Sequence, residues 1–408
     1  MRTVLSQNQR RFEGCNVAES EYKKLWSIDP NVTYLNHGSF GPSPIEVQET
    51  RRRWTDELES QPMEFFCQRM EKELDAASTR LGEFVGAKAG NLLMVENATV
   101  GMNIAATAID LQAGDEVLLT DHEYGAVQRI WKRKTMAVGA HVVTAELPSP
   151  LKTIDGIVNA IMNRVTDKTK VIVVSHVTSQ TAAILPVAEI CAAARQRDVP
   201  VCIDGPHTIA MLPINLREIG CDFYMASCHK WLCGSFGSGF LYVHTRHQPR
   251  LKPVHTSWGG SIAGHEKHWK DDFNWIGTRD PAPVLSVPTA INFMERIGLE
   301  KFREHGHSLA KLALDRAVDE LGGTALLPDS PDWYGPMITI SIPTPPGWEP
   351  ALHGKIDTLQ RALRDEHRIE VPVFSWNGHR CLRVSAHLYN SADDIDRLFE
   401  SLQTAKDW

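Results

Sequence analysis

Between residues 92 and 245 the chain repeats one pattern: a short apolar or β-branched run, a stretch with helical spacing, then another run. The runs are 116–120 (EVLLT), 141–144, 171–176 (VIVVSH), 199–204 (VPVCID), 223–226 and 239–243, with helical stretches such as 187–197 between them. Nearly continuous apolar runs suit strands buried on both faces, and helix-length spacers suit crossovers between parallel strands. The fold class is therefore α/β, a mostly parallel sheet covered by helices. In such sheets ligands lie beyond the carboxyl ends of the strands, so the residues just after each run are the ones to inspect.

The flanks read differently. Residues 1–30 are polar, carry Pro30, and are expected to form an arm joining a small domain. Residues 45–85 read as one amphipathic helix, with Arg51, Arg52 and Arg53 on a solvated face. The Gly-, Pro-, Trp- and His-rich segment 246–290 reads as loops. A long helix is expected over 288–322, strands at 337–342 and 381–386, and a closing helix over 391–405. The expected division is an arm (1–30), a large domain (31–285) and a smaller α+β domain (286–408).

A formal charge of −7 is unlike the net basic domain usual in a nucleic-acid binder, so no nucleic-acid partner is expected. No uncharged apolar run reaches membrane-span length, so no membrane partner is expected. The opening MRTVLSQNQRR lacks the apolar core of a secretory signal. Eight cysteines, none spaced CxxC, read as free thiols of a reducing compartment, so a cytoplasmic location is expected.

The chemistry concentrates behind three successive runs. Asp204 and His207 follow VCID; Ser227, His229 and Lys230 follow the next run; the turn from Gly234 to Gly239 leads into another. A lysine desolvated at a strand end loses its charge readily, and a neutral amine is a nucleophile that forms Schiff bases. An aspartate on the neighbouring strand end can pair with a protonated pyridine nitrogen, as pyridoxal phosphate (PLP) requires to act as an electron sink. Asn97, Ala98 and Thr99 follow the apolar run LLMV and open a helical stretch, whose free N–H groups suit a phosphate. Each feature alone has an ordinary structural explanation: a cap, a surface pair, a plain helix start. Their order along one sheet rim is much harder to explain that way.

Asp204-x-x-His207 followed by Ser227-x-His229-Lys230 resembles the class V aminotransferase family of fold-type-I PLP enzymes. The opening Tyr34-Leu-Asn-His-Gly-Ser-Phe-Gly-Pro42 and the stretch Ser175 to Pro186 resemble its isopenicillin N epimerase-like branch. The resemblance, running from about 30 to 400, implies an aspartate aminotransferase-like fold. A mostly parallel seven-stranded sheet would form the large PLP-binding domain, beside the smaller α+β domain. It implies that Lys230 holds PLP and moves the α-proton, that Asp204 pairs with the pyridine nitrogen, and that His207 approaches the phenolic oxygen. Tyr124 would stack on the ring. Asn97, Ala98, Thr99, Ser227 and His229 would bind the phosphate, and Thr278 would reach the phosphate of a neighbouring subunit, implying a homodimer. Arg383 would grip the substrate α-carboxylate, with Asn36, His37 and Ser179 beside it. The substrate would be a small amino acid or a derivative of one.

The resemblance leaves three outcomes open after proton removal: epimerisation, β-elimination (a C–S lyase) and transamination. Epimerisation needs a second acid, for which Tyr124 and His37 are the available groups. No cysteine stands on a loop shortly before Arg383 as in cysteine desulfurases; Cys381, in an alternating run, reads as core. Ser179 stands where desulfurases tend to carry Asn. Two rivals from other classes are a catalytically silent PLP-fold binding protein and a metal-dependent hydrolase. Against the second, Cys228, His229 and Cys233 lack a second ligand pair, and no metal is expected. The cluster Trp258, Trp269, Trp275, His255, His265 and His268 is read two ways, as the lining of a substrate entrance or as interface packing.

Overall fold

The computed structural model describes residues 22–352 and 354–404. Most of the expected arm, including Cys15, lies outside them. Thirteen strands occur among the described residues. The first, β1 (Thr33–Tyr34), precedes seven that form one sheet: β2 (Leu92–Val95), β3 (Glu116–Thr120), β4 (His141–Ala145), β5 (Thr169–Ser175), β6 (Val201–Asp204), β7 (Phe223–Ser227) and β8 (Gly239–Val243). Their order across the sheet is β2-β8-β7-β6-β5-β3-β4. All neighbours are parallel except β8, which runs antiparallel to both β7 and β2. The α/β expectation and the seven-stranded sheet are both observed, and the expected runs match strands to within a few residues.

The apolar runs explain the sheet's stability. Val171, Ile172, Val173 and Val174 are fully buried because helices cover both faces. Burying each such side chain is worth about 1.5–3 kcal/mol.

The register sets the functional rim. Ser175 pairs with Asp204, Asp204 with Met225, and Ser227 with Gly239, which also pairs with Val95. Five strand ends thus meet on one edge. Gly239 is required there: a Cβ would lie 2.6 Å from the Ala226 carbonyl oxygen and 2.9 Å from Asn97 Cα. That close approach lets the chain after β2 turn over the rim into the helix Ala98–Thr107.

Two helical expectations are revised. The 45–85 stretch is not one helix. The helix Ile45–Ser60 stops at Gln61, whose backbone leaves the helical region (φ −152°, ψ 71°) ahead of Pro62, and a π-turn over Phe65–Arg69 precedes the helix Met70–Val85. The 288–322 stretch divides at Gly298, whose φ of +99° ends Val287–Ile297 before Leu299–Leu321 begins.

The C-terminal part contains β9 (Thr324–Ala325), β10 (Met337–Ile342), β11 (Ile369–Glu370), β12 (Val373–Trp376) and β13 (His379–Ser385). Its antiparallel sheet runs β12-β13-β10-β9, with Leu299–Leu321 packed on β10. Beside it, β1 pairs in parallel with β11, and Asn36 bridges Ser385. These pairings draw residues 33–40 against β13 and toward the rim of the large sheet.

Candidate active site

The rim and β13 enclose a cavity of about 640 Å³. At its floor Asp204, the last residue of β6, is 4% exposed, and no protein hydrogen bond to its carboxyl group occurs among the described residues. Burial pushes this group up to about 7, while Lys230 opposes the shift. Lys230 follows β7, and its Nζ lies 3.0 Å from Nε2 of His207. Enclosure by protein, and then the Arg383 charge, push its amine down to about 7, with Asp204 acting in the opposite direction. Near neutrality the lysine is thus poised between an ammonium and a nucleophilic amine. Buried His207 is held well below its ordinary range by desolvation and then by Lys230 and Arg383.

At one end of the cavity the helix Ala98–Thr107 begins. Asn97 caps it, accepting the Val100 N–H at 3.0 Å, and Ser227 Oγ accepts the Ala98 N–H at 3.1 Å. No acceptor for the Thr99 N–H occurs among the described residues, and the Thr99 side chain borders the cavity. His229 borders the cavity as well; its Nδ1 is buried without a partner, and burial lowers the imidazole to about 4. A helix N-terminus with a free N–H and hydroxyl groups beside it suits an anion.

At the other end stands Arg383 on β13, 6% exposed. Its Nη1 donates to the Ser179 carbonyl at 2.6 Å and its Nη2 to Ser39 Oγ at 2.6 Å, while Nε has no partner. Burial lowers its guanidinium to about 10. A fork fixed by two oxygens, with donor capacity to spare, suits a carboxylate. Tyr124, at the start of the helix Gly125–Val138, forms a wall and is 48% exposed.

Most residues singled out from sequence therefore converge: Asn97, Ala98, Thr99, Tyr124, Ser179, Asp204, His207, Ser227, His229, Lys230 and Arg383 all line the cavity. Three do not. His37 is turned behind the lysine turn, with Nε2 donating to the Lys230 carbonyl at 3.0 Å and Nδ1 accepting from the Tyr389 hydroxyl at 2.8 Å. That geometry removes it as the second acid. Asn36 lies outside the lining, its Oδ1 buried without a partner. Thr278 is exposed on a loop away from this cavity. The motif 34–42 holds what sequence reasoning missed: Ser39, which orients Arg383, and Phe40, which lines the mouth.

Cys381 is buried outside the cavity, its thiol pushed up to about 11 by desolvation. None of the Trp and His residues at 255–275 borders the cavity: Trp269 bonds the Gly90 carbonyl, Trp275 packs on Phe66, and Trp258 is 82% exposed. Among the described residues one group of metal-type donors lies nearby, with Cys233 Sγ 3.3 Å from His387 Nε2 and 3.9 Å from His37 Nε2. His37 has no lone pair left for a metal, since one nitrogen donates to a carbonyl and the other accepts from Tyr389.

The donor set fits PLP. The Asp204 carboxyl would meet the pyridine nitrogen, Lys230 the aldehyde carbon, and the Ala98–Thr107 N-terminus with Ser227 and His229 the phosphate. Comparisons with known proteins agree. The profile of one family, aminotransferase class-V, matches residues 47–398. Isopenicillin N epimerase of Streptomyces clavuligerus is 32% identical, covering 92% of this chain and 95% of that protein. L-cysteine desulfhydrase of Arabidopsis thaliana is 25% identical, over 91% and 87% respectively. A solved structure of C-DES with glycine covalently linked to its PLP cofactor superposes with a TM-score of 0.79 at 21% identity, covering 91% of this chain and 96% of that one. At that identity the likeness speaks for the fold.

Proposed function

The chain belongs to the aminotransferase class-V family, and on that footing we propose that it is a PLP-dependent enzyme exchanging the α-proton of an amino-acid substrate, as an epimerase or racemase. The observation that carries this is the placing of a titratable amine, Lys230, and a fixed guanidinium fork, Arg383, on one cavity that ends in an anion seat.

PLP, when bound, supplies an electron sink for negative charge at the α-carbon. The chain's own groups do the rest. Arg383, braced by Ser39 and Ser179, binds the α-carboxylate and sets the angle of the α-carbon. Lys230 takes the α-proton on Nζ, which is unprotonated above about pH 7. Asp204 holds or shares a proton at its carboxyl group, and His207 donates from Nε2. Tyr124 shields one side from water and, with His37 turned away, is the remaining group proposed as proton donor on the second face. Thr278, exposed and outside this cavity, is available to the phosphate of a second copy, so a homodimer is part of the proposal.

A second reading, C–S lyase chemistry, is favoured by the desulfhydrase relative and by the loss of His37 as a second acid. Each candidate amino acid is incubated with the enzyme in heavy water. The proposal expects α-deuterium incorporation with inversion, and borohydride fixation of PLP on Lys230 that the Lys230→Ala variant loses. Pyruvate and sulfide without inversion would move the assignment to a lyase. No PLP uptake at all would overturn both.

A further inference from the structure

Lys230 and Trp231 are consecutive, yet their side chains reach the same imidazole from its two sides. Lys230 Nζ lies 3.0 Å from His207 Nε2, and the Trp231 indole Nε1–H donates to His207 Nδ1 at 3.3 Å. An indole nitrogen only donates, so Nδ1 of His207 must present its lone pair. We infer that Trp231 is a positioning residue: it confines the single proton of the neutral His207 imidazole to Nε2 and makes His207 an obligate donor toward the cavity.

The consequence falls on Lys230. The contact at 3.0 Å then runs from Nε2–H to nitrogen, which requires the amine lone pair. An ammonium has three donors and no lone pair, so a charged Lys230 must either turn away or break the Trp231 bond by moving the imidazole proton. Trp231 thereby favours the nucleophilic form of Lys230 through the imidazole they share. It is well placed for this. It is buried, tilted against His37 at 5.1 Å between ring centroids and against Phe302 at 6.4 Å. On another edge of His207 lies the backbone of Gly38, where a Cβ would be in van der Waals contact with Cε1 at 3.5 Å. The same Nε2 donor suits an oxygen acceptor on a bound cofactor.

The groups facing this pair are Asp204 from β6, His229 from the lysine turn, Arg383 from β13 and His37 from behind. Of these, Arg383, His229 and His37 oppose a proton on His207, while Asp204 favours one on Lys230. The tautomer lock acts in addition to this field.

The inference rests on the function proposed above, but its test does not measure turnover. Lys230 of PLP-free protein is labelled with acetic anhydride from pH 6 to pH 10, and its acetylation is followed by mass spectrometry. Trp231→Phe, which keeps an aromatic ring and deletes the donor, should raise the midpoint by about one unit, which cuts labelling about fivefold at pH 7 and about tenfold at pH 6. Phe302→Leu, which only loosens the packing, should leave the profile unchanged. An unchanged midpoint in Trp231→Phe overturns the inference. Should that variant fail to fold, ¹⁵N imidazole shifts of the wild-type protein decide, with His207 assigned through His207→Gln: Nδ1 must be unprotonated and Nε2 protonated, and the reverse tautomer overturns the inference. Borohydride fixation of PLP on wild-type Lys230 is scored separately. If PLP is fixed but the Trp231→Phe midpoint stays put, only the lock fails; if no PLP is fixed, the functional reading fails.

Discussion

Glu123 offers a clean test of how burial governs this rim. Its carboxyl group is fully buried between β3 and β5. Oε1 accepts from the Thr120 hydroxyl at 2.7 Å and the Ser175 N–H at 3.1 Å, and Oε2 lies 2.7 Å from Ser175 Oγ. Desolvation outweighs those bonds, and the Asp204 carboxyl adds repulsion, so the group moves from 4.5 to about 7. The folded chain therefore holds this proton more tightly than the unfolded chain. The resulting stability is complete below about pH 4.5 and is lost as pH rises to about 7, a change of about 3 kcal/mol. With an unfolding entropy near 2.1 cal/mol/K per residue, a chain of this length converts that into about 4 °C of melting temperature. Glu123→Gln resembles the protonated acid in shape but cannot ionise. Its extra N–H lacks a partner and costs about 1–3 kcal/mol, but equally at every pH. Melting curves of both proteins at pH 5, 6, 7 and 8 should show the variant gaining about 3 °C on the wild type across that range, because part of the change already lies below pH 5. Parallel curves would mean that Glu123 stays ionised in the fold, and the desolvation argument for Asp204 would fall with it.

Two further substitutions test positioning. Ser39→Ala removes the oxygen that accepts from Arg383 Nη2 at 2.6 Å; steady-state kinetics should show KM for the amino acid rising about tenfold with kcat little changed, and an unaltered KM would count against Arg383 as the carboxylate site. Gly205→Ala places a Cβ 2.4 Å from the Tyr224 ring, which is held by His176 and Thr208. The turn carrying Asp204 and His207 must shift, and thermal melts with a PLP assay should show a loss of about 1–3 kcal/mol and of cofactor retention; a wild-type result would refute the rigidity of that turn.

What the sequence made legible follows from the range of each physical signal. Strands buried on both faces announce themselves locally, and strand ends in a parallel sheet share one edge, so Asp204, Ser227 and Lys230 were found from pattern alone. The family resemblance added Tyr124, Ser179 and Arg383. Local pattern says nothing of which way a side chain turns where two distant segments meet. His37 and Ser39 are two positions apart in one motif, yet the first points behind the lysine turn and the second into the cavity. Pairing of residues 33–36 with β11 and Ser385, more than 330 positions later, fixes that choice. The helix breaks were visible in principle, as Pro62 and Gly298, but charge periodicity across them hid the interruption.

Six buried titratable groups at the rim share one tendency: these six are moved toward their neutral forms. Asp204 and Glu123 are raised; Lys230, Arg383, His207 and His229 are lowered. Desolvation is the largest cause in every case, so the shifts come from the shape of the cavity and only secondarily from ion pairing. Such a site holds its charges weakly before it is filled. A ligand bringing a cationic ring nitrogen to Asp204, an anion to the Ala98–Thr107 N-terminus beside His229 and a carboxylate to Arg383 would supply those groups with the counter-charge that burial withholds. Binding should then pull Asp204 down and Arg383 up toward their ordinary values, and Lys230 gains an acidic neighbour that favours taking up a proton. The displaced titrations of the cavity and its reactivity thus have one origin: amine, carboxyl and guanidinium are enclosed together, and their charges would be completed by what enters.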